Sequence, residues 1–132
     1  MTQPHIAIVD DDESVCRSVA RLLRQVNMNA TAFQSVGDFL ASPLRAGFTC
    51  LVLDVQLGAG MTGLELRRLL LKEGDRTPVI FLTAYDDPQT HAEAKRLESA
   101  IVGKGADPLS LIEAIRKVQR GHLSLVPGSH VR

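Results

Sequence analysis

Three short apolar runs that each stop at a polar residue constrain this chain most. Ile6-Ala7-Ile8-Val9 runs into Asp10, Cys50-Leu51-Val52-Leu53 runs into Asp54, and Pro78 to Leu82 runs into Thr83. Short runs that are apolar throughout suit strands buried on both faces, as in a parallel sheet covered by helices. The stretches between them carry helical spacing. Val15, Val19, Leu22, Leu23 and Val26 predict a helix over about Asp12 to Val26. Ser35 with Asp38 opens a short helix through Phe39 and Leu40, and Thr62-Gly63-Leu64-Glu65 has capping-box spacing before Leu66, Leu69 and Leu70. A polar helix is expected over about Asp86 to Glu98. Asp107-Pro108, a cap followed by proline at the first helical position, starts a last helix through Ile112, Ile115 and Val118. Asn29 to Phe33 and Ala100-Ile101-Val102 are weaker strand candidates.

These elements make five strand–helix pairs. Right-handed crossovers turn such an order into a doubly wound α/β domain with a five-stranded parallel sheet. The 132 residues fit one domain, expected over residues 1–121, with 122–132 as a frayed tail. Lysine plus arginine balance aspartate plus glutamate at 15 each, so no broad attraction to nucleic acid or to an anionic membrane is expected. Cys16 and Cys50 lie inside apolar patterns without metal-ligand spacing. The expectation is therefore reduced thiols in a cytoplasmic setting. No apolar stretch is long enough to span a bilayer, and Met1-Thr2-Gln3-Pro4 does not open a signal peptide.

Ligands of open α/β sheets bind beyond the carboxyl ends of the strands. In this chain those ends carry Asp10, Asp11 and Asp12, then Asp54, then Thr83 and Ala84, then Lys104. Taken singly, each has a plain reading. An acid after a strand is as readily a helix cap as a ligand. A lone Thr83 is a strand-end hydroxyl, and a lone Lys104 is a solvated lysine. Asp54 resists this treatment, because it ends a hydrophobic strand where an unpaired charge is costly. Taken jointly, the carboxylates would repel one another unless a hard divalent cation such as Mg²⁺ joined them. An ionised carboxylate can also act as a nucleophile toward phosphorus.

The segments Ile8-Val9-Asp10-Asp11-Asp12-Glu13, Leu51-Val52-Leu53-Asp54, Met61-Thr62-Gly63-Leu64-Glu65, Leu82-Thr83-Ala84 and Lys104 resemble the receiver domain of two-component response regulators. Val9 to Val15 and Phe81 to Asp87 are similar to the FixJ-like receivers. The resemblance covers nearly the whole chain. It implies a flavodoxin-like (βα)5 fold and a signalling module rather than an enzyme. Asp54 is implied as the phosphoacceptor, charged by a sensor histidine kinase or a phosphotransfer protein. Mg²⁺ would be bound by Asp11 and Asp54, by the backbone carbonyl of Gln56, and by Asp10 through water. Thr83 and Lys104 would hold the phosphoryl group.

Three departures from the pattern stand out. Leu57-Gly58-Ala59-Gly60-Met61 lacks a usual proline and is about one residue longer. Lys104 precedes Gly105 rather than a proline with a cis bond, so a trans bond and a shifted Lys104 are expected. Ser99 to Gly103 is about two residues short, with Ile101 in place of the usual aromatic switch residue.

Most response regulators carry a further effector domain, and no second hydrophobic pattern or helix-turn-helix segment follows here. Output is expected through a downstream protein partner or a missing effector domain. The alternatives are a phosphorylation-independent interaction module or a phosphate relay or sink. An aspartyl phosphohydrolase would need an acid where Gln56 stands, and a flavodoxin-like carrier would need a first loop that does not repel a flavin phosphate.

Overall fold

The computed structural model describes residues 3–57, 60–84 and 87–125, with side chains as far as Gly121. The strands are β1 (His5–Val9), β2 (Asn29–Phe33), β3 (Cys50–Asp54), β4 (Val79–Thr83) and β5 (Ala100–Gly103). The helices are α1 (Glu13–Gln25), α2 (Val36–Ala41), α3 (Gly63–Lys72), α4 (Pro88–Arg96) and α5 (Pro108–Leu125). All strand pairs are parallel, in the order β2-β1-β3-β4-β5. The direction of winding therefore reverses between β1 and β3, which places a crevice at their carboxyl ends.

Alternation along the strands builds two cores. Ala7, Val9, Leu51, Leu53, Val79 and Phe81 face Phe39, Leu66, Leu70 and Ala94 from α2, α3 and α4. Ile6, Ile8, Cys50, Val52, Ile80 and Leu82 face Cys16, Ala20, Leu23, Leu111 and Ile115 from α1 and α5. Every residue of β3 and β4 is buried, whereas β2 and β5, at the two edges, are mostly partly exposed. That is why the edge strands read weakly in the sequence. Cys16 and Cys50 are buried free thiols, and burial pushes Cys50 up to about 12.

The caps follow the sequence closely. Asp12 caps α1, Ser35 caps α2, and Thr62 with Glu65 closes a capping box on α3. Asp87 caps α4, and Asp107 Oδ1 accepts the Leu109 N–H. Asp86, the expected start of the fourth helix, lies outside the described residues.

One boundary differs from expectation, and one short element is added. The last helix does not fray at Gly121 but runs on to Leu125, since one glycine costs a helix only about 0.5–1 kcal/mol relative to alanine. The rest of the expected tail, 126–132, lies outside the described residues. A 3-10 turn at Arg45–Gly47, too short to carry a periodic signal, precedes β3.

Candidate functional site

Register aligns the carboxyl ends of the central strands. Val9 pairs with Leu53, Asp54 with Leu82, and Thr83 with Gly103. Asp10, Asp54, Thr83 and Lys104 therefore emerge along one rim. Asp10 and Asp54 are 1% and 5% exposed, which is exceptional for carboxylates and demands partners. Asp10 Oδ1 accepts the Asp12 N–H at 2.9 Å, and the Cys16 thiol donates to the Asp10 carbonyl at 3.3 Å. Asp54 Oδ1 accepts the Gln56 N–H at 3.0 Å.

Lys104 completes the charge balance. Its Nζ lies 3.0 Å from Asp10 Oδ2 and 3.0 Å from Asp54 Oδ2. Toward Asp54 this is a directed hydrogen bond. Asp10 Oδ2 has the ionic contact but no well-directed hydrogen bond, and it is the one buried side-chain oxygen in that condition among the described residues. Burial raises the Asp54 carboxyl above its ordinary value, against the opposing pull of Lys104 and the Gln56 N–H. Burial alone would lower Lys104, yet its close contacts with the Asp10 and Asp54 carboxylates outweigh this and raise it. The asymmetry is physical: one ammonium is divided between two carboxylates, while it receives the field of both.

Three of the expected residues converge as metal-ligand candidates. One carboxylate oxygen from each of Asp10, Asp11 and Asp54 lies within 4.8 Å of the others. Asp11 is exposed, so the cluster opens to solvent on that side. The donor set fits a hard cation, being all oxygen, with more negative charge than one lysine offsets and with an underused buried oxygen on Asp10. Asp12, the third acid of the run, is a cap. Its bonds to the Ser14 hydroxyl and to the N–H groups of Ser14 and Val15 lower it below the usual carboxylate range.

Thr83 is 7% exposed at the end of β4, and its carbonyl accepts the Lys104 N–H at 2.8 Å. That bond fixes the lysine's backbone. The Gly105 substitution therefore does not carry Lys104 away: no cis peptide occurs among the described residues, and the ammonium still reaches both aspartates. Gln56 contributes its N–H to Asp54. Of the altered loop, Gly58 and Ala59 lie outside the described residues.

Two residues of α3, one beside the site and one toward the opposite edge of the sheet, carry roles that sequence reading missed. Gly63 donates its N–H to the Val55 carbonyl at 3.1 Å, and a Cβ there would lie 2.2 Å from the Asp54 carbonyl oxygen. Its place in a capping box gave no hint of this close approach. Arg67, in the next turn of α3, is 4% exposed and donates to the carbonyls of Leu97 and Thr77. Its spacing within the apolar stripe of α3 was the available signal.

The fold agrees with comparisons to known proteins. The family model of the response regulator receiver domain matches residues 6–116. The transcriptional regulatory protein TdiR of Thauera aromatica is 37% identical over 67% of this chain and 39% of its own length. FixJ of Azorhizobium caulinodans is 32% identical over 84% of this chain and 53% of its own length. The chain thus spans well under two thirds of these curated relatives. Among solved structures, a response regulator receiver protein from Burkholderia phymatum superposes with a TM-score of 0.76 at 35% identity, covering 89% of this chain and 96% of that one. No described helix is long and apolar enough to cross a membrane. With a 2-1-3-4-5 parallel sheet and an acidic rim closed by a lysine, this chain belongs to the response regulator receiver domains, the two-component signalling modules whose general function is phosphorylation on an aspartate.

Proposed function

We propose that Asp54 is the phosphoacceptor of this receiver domain. The observation that carries the reading is a buried Asp54 held at 3.0 Å by Lys104 and clustered with Asp10 and Asp11. An Asp54 carboxylate oxygen forms the new bond to phosphorus as the bond from phosphorus to the donor's nitrogen breaks, and the donor leaves with the electron pair. The donor is a phosphohistidine on a sensor kinase or phosphotransfer protein. Burial and the Gln56 N–H orient the attacking group. Lys104 releases part of its hold on the aspartates and pairs with the incoming phosphoryl oxygens, while the Thr83 hydroxyl, on the neighbouring strand end, donates to them.

Asp11 and Asp54 would hold Mg²⁺ directly, Asp10 through water, and the Gln56 carbonyl would add a third protein ligand. When bound, the ion neutralises charge on the phosphoryl oxygens and relieves repulsion among the carboxylates. The Gln56 side chain leaves no second acid two residues after the nucleophile, which disfavours a phosphohydrolase. Output passes to a protein partner or to an effector domain of the kind the longer relatives' length allows, in the cytoplasm, with the elements from β1 through α5 acting as the receiver unit.

Mass spectrometry after incubation with acetyl phosphate and Mg²⁺ tests this reading. The wild type should gain one phosphate and Asp54→Asn none. Equal labelling of both proteins removes Asp54 from its role. Binding of a partner that ignores Mg²⁺ and phosphodonor would favour the phosphorylation-independent alternative.

A further inference from the structure

α4 is attached to the molecule differently from every other long helix. Only Ala94 among its residues is buried, with Leu97 beyond its end partly buried against the core. α1, by contrast, buries Cys16, Ala20 and Leu23. What α4 lacks in apolar area it makes up with cations from α3 and the segment after it. Arg67 Nε donates to the Leu97 carbonyl at 3.2 Å, and Nη1 donates to the Thr77 carbonyl at 2.7 Å. Arg68 pairs with Glu93, and Arg76 pairs with Glu98 at 3.2 Å.

Leu97 is the residue on which α4 ends. Its carbonyl also accepts the Ser99 hydroxyl at 2.9 Å, and the turn is closed by Glu98 in the left-handed region at φ 54°. A buried guanidinium at this end meets the negative pole of the helix. Burying it costs free energy, which its two carbonyl partners, that pole and the nearby Glu98 and Asp75 carboxylates offset. Such an attachment depends on geometry far more than an apolar contact does. Charge-assisted hydrogen bonds weaken steeply with misalignment, whereas hydrophobic contact is non-directional.

α3, which carries Arg67, begins hard against Asp54. Gly63 bonds to the Val55 carbonyl and leaves no room for a Cβ beside the Asp54 carbonyl. Arg67 sits four residues along the same helix, about 6 Å by helical rise. A capping box at Thr62 and Glu65 stiffens the first turn between them. A displacement of the Asp54 backbone would therefore reach Arg67 through one stiff turn of helix.

We infer that Arg67 is a latch: it pins the carbonyl end of α4 in the unphosphorylated protein, and phosphorylation at Asp54 loosens that pin through α3. The inference rests on Asp54 being the phosphoacceptor. It supplies a route from Asp54 to α4 that needs no aromatic side chain at Ile101.

Hydrogen exchange at the amides of Leu97, Glu98 and Ser99, read with and without acetyl phosphate and Mg²⁺, tests the latch, with mass spectrometry of Asp54 labelling alongside. In labelled wild type, these amides should exchange roughly tenfold faster than in unlabelled protein, while β1 and β3 stay protected. In Arg67→Leu they should exchange at the fast rate from the start and gain little on labelling. If that variant does not fold, Arg67→Lys replaces it. One ammonium cannot serve both carbonyls as the guanidinium does, so its unlabelled rate should fall between the two wild-type rates. Labelled wild type with unchanged exchange at these amides overturns the latch and leaves the phosphoacceptor intact. So does a variant that responds by the full wild-type factor. Absence of label on Asp54 overturns the phosphoacceptor reading, and the latch with it.

Discussion

The centre of the sheet and its β5–α4 edge are built on opposite terms. β3 and β4 are buried residue by residue, and the helices that cover them do so with leucine, isoleucine and phenylalanine. At the edge, no residue of β5 is fully buried, and α4 leans on arginines. Apolar packing fills a volume, so it resists displacement in every direction. Directed polar contacts hold one geometry and give way outside it. The molecule thus places its chemistry on the rigid part and leaves the more easily moved part beside it, the arrangement a switch requires.

The sharpest way to break this contrast is to remove equal amounts of side chain from each region. Leu53→Ala, in the fully buried strand, should cost about 2–5 kcal/mol in urea unfolding. Ile101→Ala, partly exposed on β5, should cost under about 2 kcal/mol, since less apolar area and a smaller void are involved. Similar losses at both sites would erase the distinction.

Gly63→Ala tests the seam between the regions. A methyl group 2.2 Å from the Asp54 carbonyl oxygen forces α3 away from β3. The expected cost is about 1–3 kcal/mol, with loss of phosphate uptake as Asp54 moves. An alanine variant as stable and as readily labelled as wild type would show that α3 does not bear on the site.

A smaller effect, distinctive in sign, is expected at Asp54. Burial raises its folded-state value above the ordinary 3.8. A carboxylate raised in this way binds its proton more tightly folded than unfolded, so its ionisation costs stability as pH rises through the folded value. Metal-free Asp54→Asn should then melt a few degrees above wild type at neutral pH. The gap should close as pH falls through the folded value and be gone below 3.8. Mg²⁺ should raise the wild-type melting temperature and do less for the variant, because binding to the folded state alone stabilises it. A metal-free variant that melts below wild type at pH 7 would mean that Lys104 and Gln56 more than satisfy the charge.

The least effect belongs to Arg76→Gln. Its pair with Glu98 is exposed, with side chains 64% and 70% accessible. Stability should change by about 0–1 kcal/mol, vanishing at high salt. A larger loss would promote this pair to a second anchor of α4.

Much of this was readable without coordinates. Buried strands announce themselves because both faces must be apolar, so β1, β3 and β4 stood out, while β2 and β5 were blurred by their solvent-facing sides. Caps were legible because they act over three residues. The acidic rim was legible as an order of residue types at strand ends, and the matching family implied roles for Asp10, Asp11, Asp54, Gln56, Thr83 and Lys104.

What the chain alone determined was the local part: which segments bury, where helices begin, and which polar groups stand at strand ends. Those are set by near neighbours and by a period of two or 3.6 residues. Only the tertiary structure decided that Asp10, Asp11 and Asp54 converge, and that Lys104 is shared between two aspartates despite Gly105. It alone decided that Gly63 abuts Asp54, and that Arg67 reaches the end of a helix 30 residues away. Each of these depends on where a side chain from one element meets the backbone or charge of another, and no local pattern in the sequence encodes that distance.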